Sequence, residues 1–261
     1  MTLAELYPAV DEIVDVDHLS YSTCKKILNR GVDWALGTKL GLVDESYGKA
    51  ADIGTMAHAL VLGGDPEWIV SPYTDFRTNE AKAWKAEQTK TIIKESEFDQ
   101  ICQIADAIKA HPLAVELIDA CNLEQKLEAT IDGIKFVGYA DGISQDRKTI
   151  FDLKTTGQFD SFGGRWYAYN QDYDLQASVY RLFGDDPEYY FIVAESVAPY
   201  RVQIFGTAPE FFDSGNVKLQ KAIDEFNQFR LREGANDRER ISFAIGETRN
   251  LQDVQKIGDQ S

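Results

Sequence analysis

A change of period near residue 122 constrains this chain more than any other feature. From about 79 to 120 the sequence is rich in Glu, Lys, Ala and Ile and reads as two helices, the second from about Phe98 to Cys121, with Pro112 as a point of interruption. Three short runs then follow in close succession, LEQKLEATI, GIKFVGYADGI and KTIFDLKTT, each alternating or rich in β-branched and aromatic residues. Asp132-Gly133 and the QDRK segment supply turns between them, so the runs predict three antiparallel strands in a meander. Strand parity sorts the last run. Ile150, Asp152 and Lys154 share one face, while Phe151 and Leu153 point to the other. A carboxylate and an ammonium therefore project side by side from one end of a sheet.

The flanking segments supply the layers such a sheet needs. Residues 18 to 34 predict a short helix capped by Ser20 or Ser22, with Cys24, Ile27 and Leu28 as its apolar stripe and Gly31 at its end. GKAADIGTMAHALVLGG sets Ile53, Met56, Ala57, Leu60 and Val61 at helical spacing, with His58 beside the stripe and Gly63-Gly64 as the stop. After the aromatic connection GQFDSFGGRWYAYN, QDYDLQASVYRLF predicts a helix, and EYYFIVAES and YRVQIFG two more strands. Residues 207 to 233 predict an amphipathic helix with Leu219, Ala222, Ile223 and Phe226 inward. The fold class is α/β: a central mixed sheet containing an antiparallel meander, flanked by helices, with an N-terminal helical wall. A single domain is expected over 1–245, helical to 121 and with its catalytic core at 122–245, followed by a polar tail at 246–261.

Composition narrows the function classes. The 261 residues hold no run of eighteen apolar residues and no charged, apolar and cleavable leader pattern, which predicts a cytoplasmic protein without a membrane partner. Cys24, Cys102 and Cys121 are three and widely spaced, which argues against a disulfide framework or a four-cysteine metal site and predicts buried free thiols. A net charge of −16 predicts solubility and weak non-specific DNA binding, since phosphate contacts draw on lysine and arginine. It leaves open a carboxylate-rich site that works through divalent cations.

Asp152-x-Lys154 alone is a common pattern whose bland reading is a solvated strand end. Asp141 sits near the end of the preceding strand, after Gly138, so a hairpin brings its carboxylate beside that of Asp152. Two close carboxylates raise one another's pKa unless a cation neutralises them, which makes a hard divalent ion, Mg2+ or Mn2+, the natural occupant. Glu124 opens the strand before and offers another oxygen; Glu128 shares its parity and competes. Gln176 and Tyr180 lie four apart on one helix face.

In this order the motifs resemble the PD-(D/E)XK nuclease superfamily, and within it the RecE-like phage exonucleases related to the RecB nuclease domain. The resemblance covers about 18 to 183: HLSYSTCKKIL, IGTMAHALVL, Glu124, the GYAD aspartate, DLKTT and QASVY. It implies a Mg2+- or Mn2+-dependent deoxyribonuclease acting on double-stranded ends in phage-type recombination. Asp141 and Asp152 would be metal ligands with the Leu153 carbonyl, His58 and Glu124 would complete or position the metal shell, and Lys154 would activate water and stabilise charge. Gln176 and Tyr180 would brace the site or contact the DNA backbone. It further implies a single-strand annealing partner, a homo-oligomer and a bacterial host cytoplasm. Tyr139 and Ala140 stand before Asp141 where relatives often carry Arg and Pro, which weakens the inference about DNA contacts from that loop and leaves the acid itself in place. The alternatives are a catalytically idle DNA- or protein-binding member, and a RecB- or Cas4-like enzyme acting on single strands or internally. Trp166, Tyr167 and Tyr169, with Arg165, suit base stacking, a lid or core packing equally, and Lys25, Lys26 and Arg30 form a small basic face. His18 and His111 read as structural.

Overall fold

A computed structural model describes residues 18–43, 49–64, 68–164 and 166–231; Arg165 and the expected tail at 246–261 lie outside them. The two-residue strand β1 (His18–Leu19) leads into α1 (Tyr21–Arg30), where the Ser20 hydroxyl accepts from Thr23 N at 3.2 Å and so satisfies a first-turn donor. Then come α2 (Val32–Lys39), α3 (Lys49–Leu62), β2 (Trp68–Val70), α4 (Asn79–Glu87) and β3 (Thr91–Ile93). β2 and β3 pair in parallel, Trp68 against Thr91 through Val70 against Ile93. At three residues each, these strands are too short for a period of two to register in the sequence.

α5 (Glu95–Ala110) starts before the expected Phe98 because the Glu97 carboxylate accepts from Lys94 N at 2.8 Å and holds its first turn. The helical stretch breaks at Pro112 as expected, and the proline opens its second part, α6 (Pro112–Asp119): its missing N–H costs nothing in a first turn, and the His111 imidazole accepts from Ala114 N at 3.3 Å.

The meander follows as β4 (Cys121–Ile131), β5 (Ile134–Ser144) and β6 (Thr149–Thr156). Asp132 and Gly133 both take positive φ, 51° and 76°, the pair of conformations that lets a two-residue turn follow the right-handed twist of its strands. Two short helices, α7 (Phe159–Phe162) and α8 (Tyr167–Asn170), occupy the aromatic connection ahead of α9 (Tyr173–Arg181), β7 (Glu188–Glu195), β8 (Val202–Gly206) and α10 (Pro209–Arg230). β4 pairs with β5, β5 runs antiparallel to β6, β6 parallel to β7 over all eight residues, and β7 antiparallel to β8. The sheet is mixed.

The chain forms two compact units. The described part of one comprises 18–43, 128–138 and 213–231; β1 pairs there with Lys135 and Phe136 of β5, and its buried residues include Leu19, Cys24, Ile27, Leu36, Phe136, Leu219 and Phe226. The other holds 49–127 and 139–212, apart from 65–67 and Arg165, and contains every residue of the candidate site. Its core joins Phe151 and Leu153 of β6 and Ile192 and Ala194 of β7 to Met56 and Ala57 of α3 and Ile101, Ile104 and Ile108 of α5. On the opposite face Tyr173 and Tyr180 of α9 pack against Phe191 and Tyr189 of β7. The period of two thus assigns each face of β6 its cover: apolar helices on one side, α9 on the other.

Cys24 is buried, and burial pushes its thiol up to about 12; Cys102 and Cys121 are only half-buried, a correction to the expectation of three buried thiols. All three are free. No described helix is long and apolar enough to cross a membrane.

Candidate active site

Asp152 is 7% exposed, and its two oxygens meet different partners. Oδ1 accepts from the Gln176 amide at 2.5 Å. Oδ2 lies 2.6 Å from Lys154 Nζ, at the distance of an ion pair but without the direction of a hydrogen bond, so a buried lone pair is left unmatched. Burial pushes the Asp152 carboxyl up to about 6; Lys154 pulls against this and the Asp141 charge adds to it. Burial alone would lower Lys154, but the negative charges of Asp152 and Asp141 outweigh that and raise it. Lys154 therefore stays an ammonium at any ordinary pH.

β5 brings in the second acid. Gly142 pairs with Phe151 and Ile143 with Ile150, and continuing that register by one step sets Asp141 opposite Asp152. Here the ladder gives way to a side chain: Leu153 N donates to Asp141 Oδ2 at 2.6 Å. Gly142 is needed beside it because the Phe151 ring crosses its α-carbon; a Cβ there would lie 2.1 Å from the ring.

α3 supplies His58. Gly54, one turn earlier on the same face, lets the helix approach β6 so closely that a Cβ would come within 2.7 Å of Thr155 Oγ1. His58 Nε2 then stands 2.9 Å from Asp141 Oδ2 and Nδ1 3.3 Å from Glu124 Oε1. Burial draws the imidazole pKa down, but the hydrogen bond to Asp141 and the charges of Asp141, Glu124 and Asp152 push it up by more. Glu124 takes φ 53° inside β4, a left-handed conformation that re-aims a strand side chain. Its carboxyl is raised by burial, against His58 and with Asp141. Glu128 lies in an ion pair with Lys135 at 3.2 Å.

On α9, Tyr180 donates its hydroxyl to Tyr139 O at 2.7 Å, while Gln176 is buried with its amide nitrogen on Asp152. Both hold the scaffold in this structure. Tyr173, on the same helix, places its ring 5.1 Å from Lys154 Nζ. Nothing in its composition marks it; the available signal was its spacing of three from Gln176.

The other aromatic and basic candidates divide. Trp166 is exposed, the Tyr167 hydroxyl lies 3.2 Å from Thr156 Oγ1, and Tyr169 packs edge-on against Phe211. Lys25 lies over Tyr21, Lys26 donates to Thr38 and Arg30 lies over Trp34. His111 serves as the cap of α6, and the His18 carbonyl accepts from Lys39.

The donor set suits a hard divalent cation. One ligand atom each from His58, Glu124 and Asp141 lies within 4.8 Å of the others, and Asp152 Oδ2 adds a buried oxygen whose ion pair with Lys154 leaves it without a hydrogen bond. Carboxylates with one imidazole fit magnesium or manganese; no soft sulfur belongs to the group.

A mixed sheet whose inner strand carries Asp-x-Lys beside a second acid on the adjoining strand defines the PD-(D/E)XK nuclease fold class. Within it the chain belongs to one family: residues 20–241 match the model of a PDDEXK-like domain of unknown function (DUF3799). Among solved structures the chain is similar to a candidate exonuclease from Eubacterium rectale, at 13% identity over 87% of each chain with a TM-score of 0.61, which shows a shared fold. It also matches an alkaline exonuclease from Laribacter hongkongensis (11% identity, 75% of this chain and 93% of that one, TM-score 0.31). A phage related exonuclease from Haemophilus somnus matches at 14% identity over 66% of this chain and 92% of that one, with a TM-score of 0.31. No curated protein matches.

Proposed function

We propose that this chain is a metal-dependent deoxyribonuclease that hydrolyses phosphodiester bonds from the ends of double-stranded DNA. The observation that carries the proposal is the convergence of Asp141, Asp152 and Lys154 where β5 and β6 part, with His58 and Glu124 against the outer acid. Asp141, Asp152, Glu124, His58 and the Leu153 carbonyl would hold Mg2+ or Mn2+. When bound, such an ion lowers the pKa of water and relieves charge on the phosphate. Lys154 brings a fixed positive charge to the same place and orients the attacking water. Gln176 fixes the Asp152 carboxylate, Tyr180 fixes β5 through Tyr139, and His58 stands between Asp141 and Glu124.

The family match over 20–241 supports one nuclease domain, and the motif order supports an end-dependent exonuclease of phage-type recombination, working in a host cytoplasm with a single-strand annealing partner and as a homo-oligomer. The fixed charge and the braced carboxylate favour an active enzyme over an idle binding protein, which has no use for a buried lysine beside two acids.

The test compares linear and closed circular duplex in magnesium, with each strand end labelled separately. Digestion of the linear form alone, lost in EDTA and in Lys154→Ala, is the expected result. Cleavage of circles would replace the exonuclease with an endonuclease. DNA left intact in magnesium, and again when manganese replaces it, would remove the catalytic reading.

A further inference from the structure

Lys154 is a long, flexible side chain asked to hold one position. Asp152 fixes its ammonium from one side only, at 2.6 Å. On another side lies the ring of Tyr173, with its centroid 5.1 Å from Nζ. That ring is itself immobilised, since its centroid lies 5.5 Å from those of both Phe162 and Phe191. Phe191 is the register neighbour of Asp152 on β7, and Phe162 packs further against Phe205 at 5.2 Å, so the support reaches across the sheet to β8.

The position in α9 has a logic of its own. Tyr173, Gln176 and Tyr180 stand at i, i+3 and i+7, a single stripe of one helix. Each touches a different part of the candidate site: Tyr180 the carbonyl of Tyr139 on β5, Gln176 the carboxylate of Asp152, Tyr173 the ammonium of Lys154. Asp172, directly before the stripe, takes φ 60°, so the backbone enters the helix through a conformation that few side-chain-bearing residues adopt freely.

We propose that Tyr173 is a positioning residue for the candidate nuclease reaction: its ring face confines the Lys154 ammonium beside Asp152, so that the positive charge is already in place when the scissile phosphate arrives. The inference deepens the nuclease reading and rests on it. The contact uses the face of the ring and not the hydroxyl, because a cation is attracted to the negative face of any phenyl ring. Phenylalanine should therefore serve in its place, and an aliphatic side chain of similar bulk should not. The effect belongs to the chemical step, since the ring binds Lys154 whether or not DNA is present.

The test uses the whole chain and three variants: Tyr173→Phe, Tyr173→Met and Tyr173→Leu. Single-turnover cleavage of a linear duplex in Mg2+ is expected to fall about tenfold in the Met and Leu variants, the order that one partly desolvated ring contact supports, and to stay within about twofold of the parent in the Phe variant. Duplex binding in Ca2+, followed by fluorescence anisotropy, is expected to be unchanged throughout. A second readout needs no activity. With lysine 13Cε labelling, the Lys154 ε-methylene protons are expected to be shifted upfield by the ring in the parent and Phe variant and to return to the ordinary position in Met. Parent-like cleavage in the Met and Leu variants, an equal loss in Phe, or an unshifted methylene in the parent would each overturn the inference. If the parent and Lys154→Ala are both inert, the nuclease reading fails instead, and the methylene shift still decides whether the ring holds the lysine. A Leu variant that does not fold leaves Met and the parent spectrum as the deciding measurements.

Discussion

The Asp152 side chain is 10% exposed, whereas the Glu124 side chain, at the other end of the same cluster, is 46% exposed, and the two ends restrain their charge by different means. The inner pair, Asp152 and Lys154, is built into a central strand, paired on one side with β7 and covered by α9, so its geometry is set by the core. The outer group, His58, Glu124 and Asp141, is gathered by an imidazole between two carboxylates, one of them on a strained strand residue. Rigid placement suits groups that must meet a transition state; adjustable placement suits ligands that exchange protons for a cation. The division teaches that chemistry should depend most on the inner pair and metal affinity most on the outer group.

Substitutions sharpen that contrast in order of effect. Lys154→Ala and Asp152→Asn are expected to cost about 10³-fold or more in single-turnover cleavage of an end-labelled duplex, since each removes a preorganised charge from a largely buried pair. A loss below tenfold would break the division at its stronger end. His58→Ala and Glu124→Gln are expected to weaken Mn2+ binding by about 10–100-fold in isothermal titration, with cleavage partly restored at high manganese. Failure of excess metal to restore anything would place these two residues in the chemistry.

The pH dependence separates proton from metal. Burial, helped by Asp141 and opposed by Lys154, lifts Asp152 to about 6. A carboxyl whose folded pKa exceeds its unfolded value contributes its stability fully below the unfolded value and loses it as pH rises through the folded one. His58, lowered by burial but raised further by Asp141, Glu124 and Asp152, acts with the same sign above its ordinary value. The melting temperature in EDTA should therefore fall from pH 5 to pH 8. Added Mn2+, which replaces those protons, should raise it more at pH 8 than at pH 5.5. An identical slope in Asp152→Asn would assign the titration to other groups. The smallest effect belongs to Glu128→Gln, which removes a partner of Lys135 half-exposed to solvent: under twofold in cleavage and within about 1 kcal/mol in denaturant unfolding.

Much of this was legible in the residues. Strand parity alone put Asp152 and Lys154 on one face and Phe151 and Leu153 on the other, and the QDRK turn announced the hairpin that aligns Asp141 with Asp152. Local pattern could not separate Glu124 from Glu128, because they share parity; the difference lies in a backbone turned to φ 53° at one of them, which no propensity announces. The role of Gly54 was hidden for a similar reason, since its missing side chain matters only against Thr155, a hundred residues away in sequence. β2 and β3 escaped because three residues are shorter than any reliable period. Tyr173 lies in the predicted helix QDYDLQASVYRLF with nothing local to single it out, and only the fold shows what lies above its ring.

The hydrogen bond from the Leu153 amide to the Asp141 carboxylate gives this acid a second occupation as a piece of the sheet's seam. Truncating it to alanine would strip an interior amide of its acceptor, so such a variant would lose fold integrity together with reactivity, and a screen scoring lost function would count a folding casualty as a chemical one. Asparagine, which keeps an oxygen for the amide, is the exchange that tells the two apart.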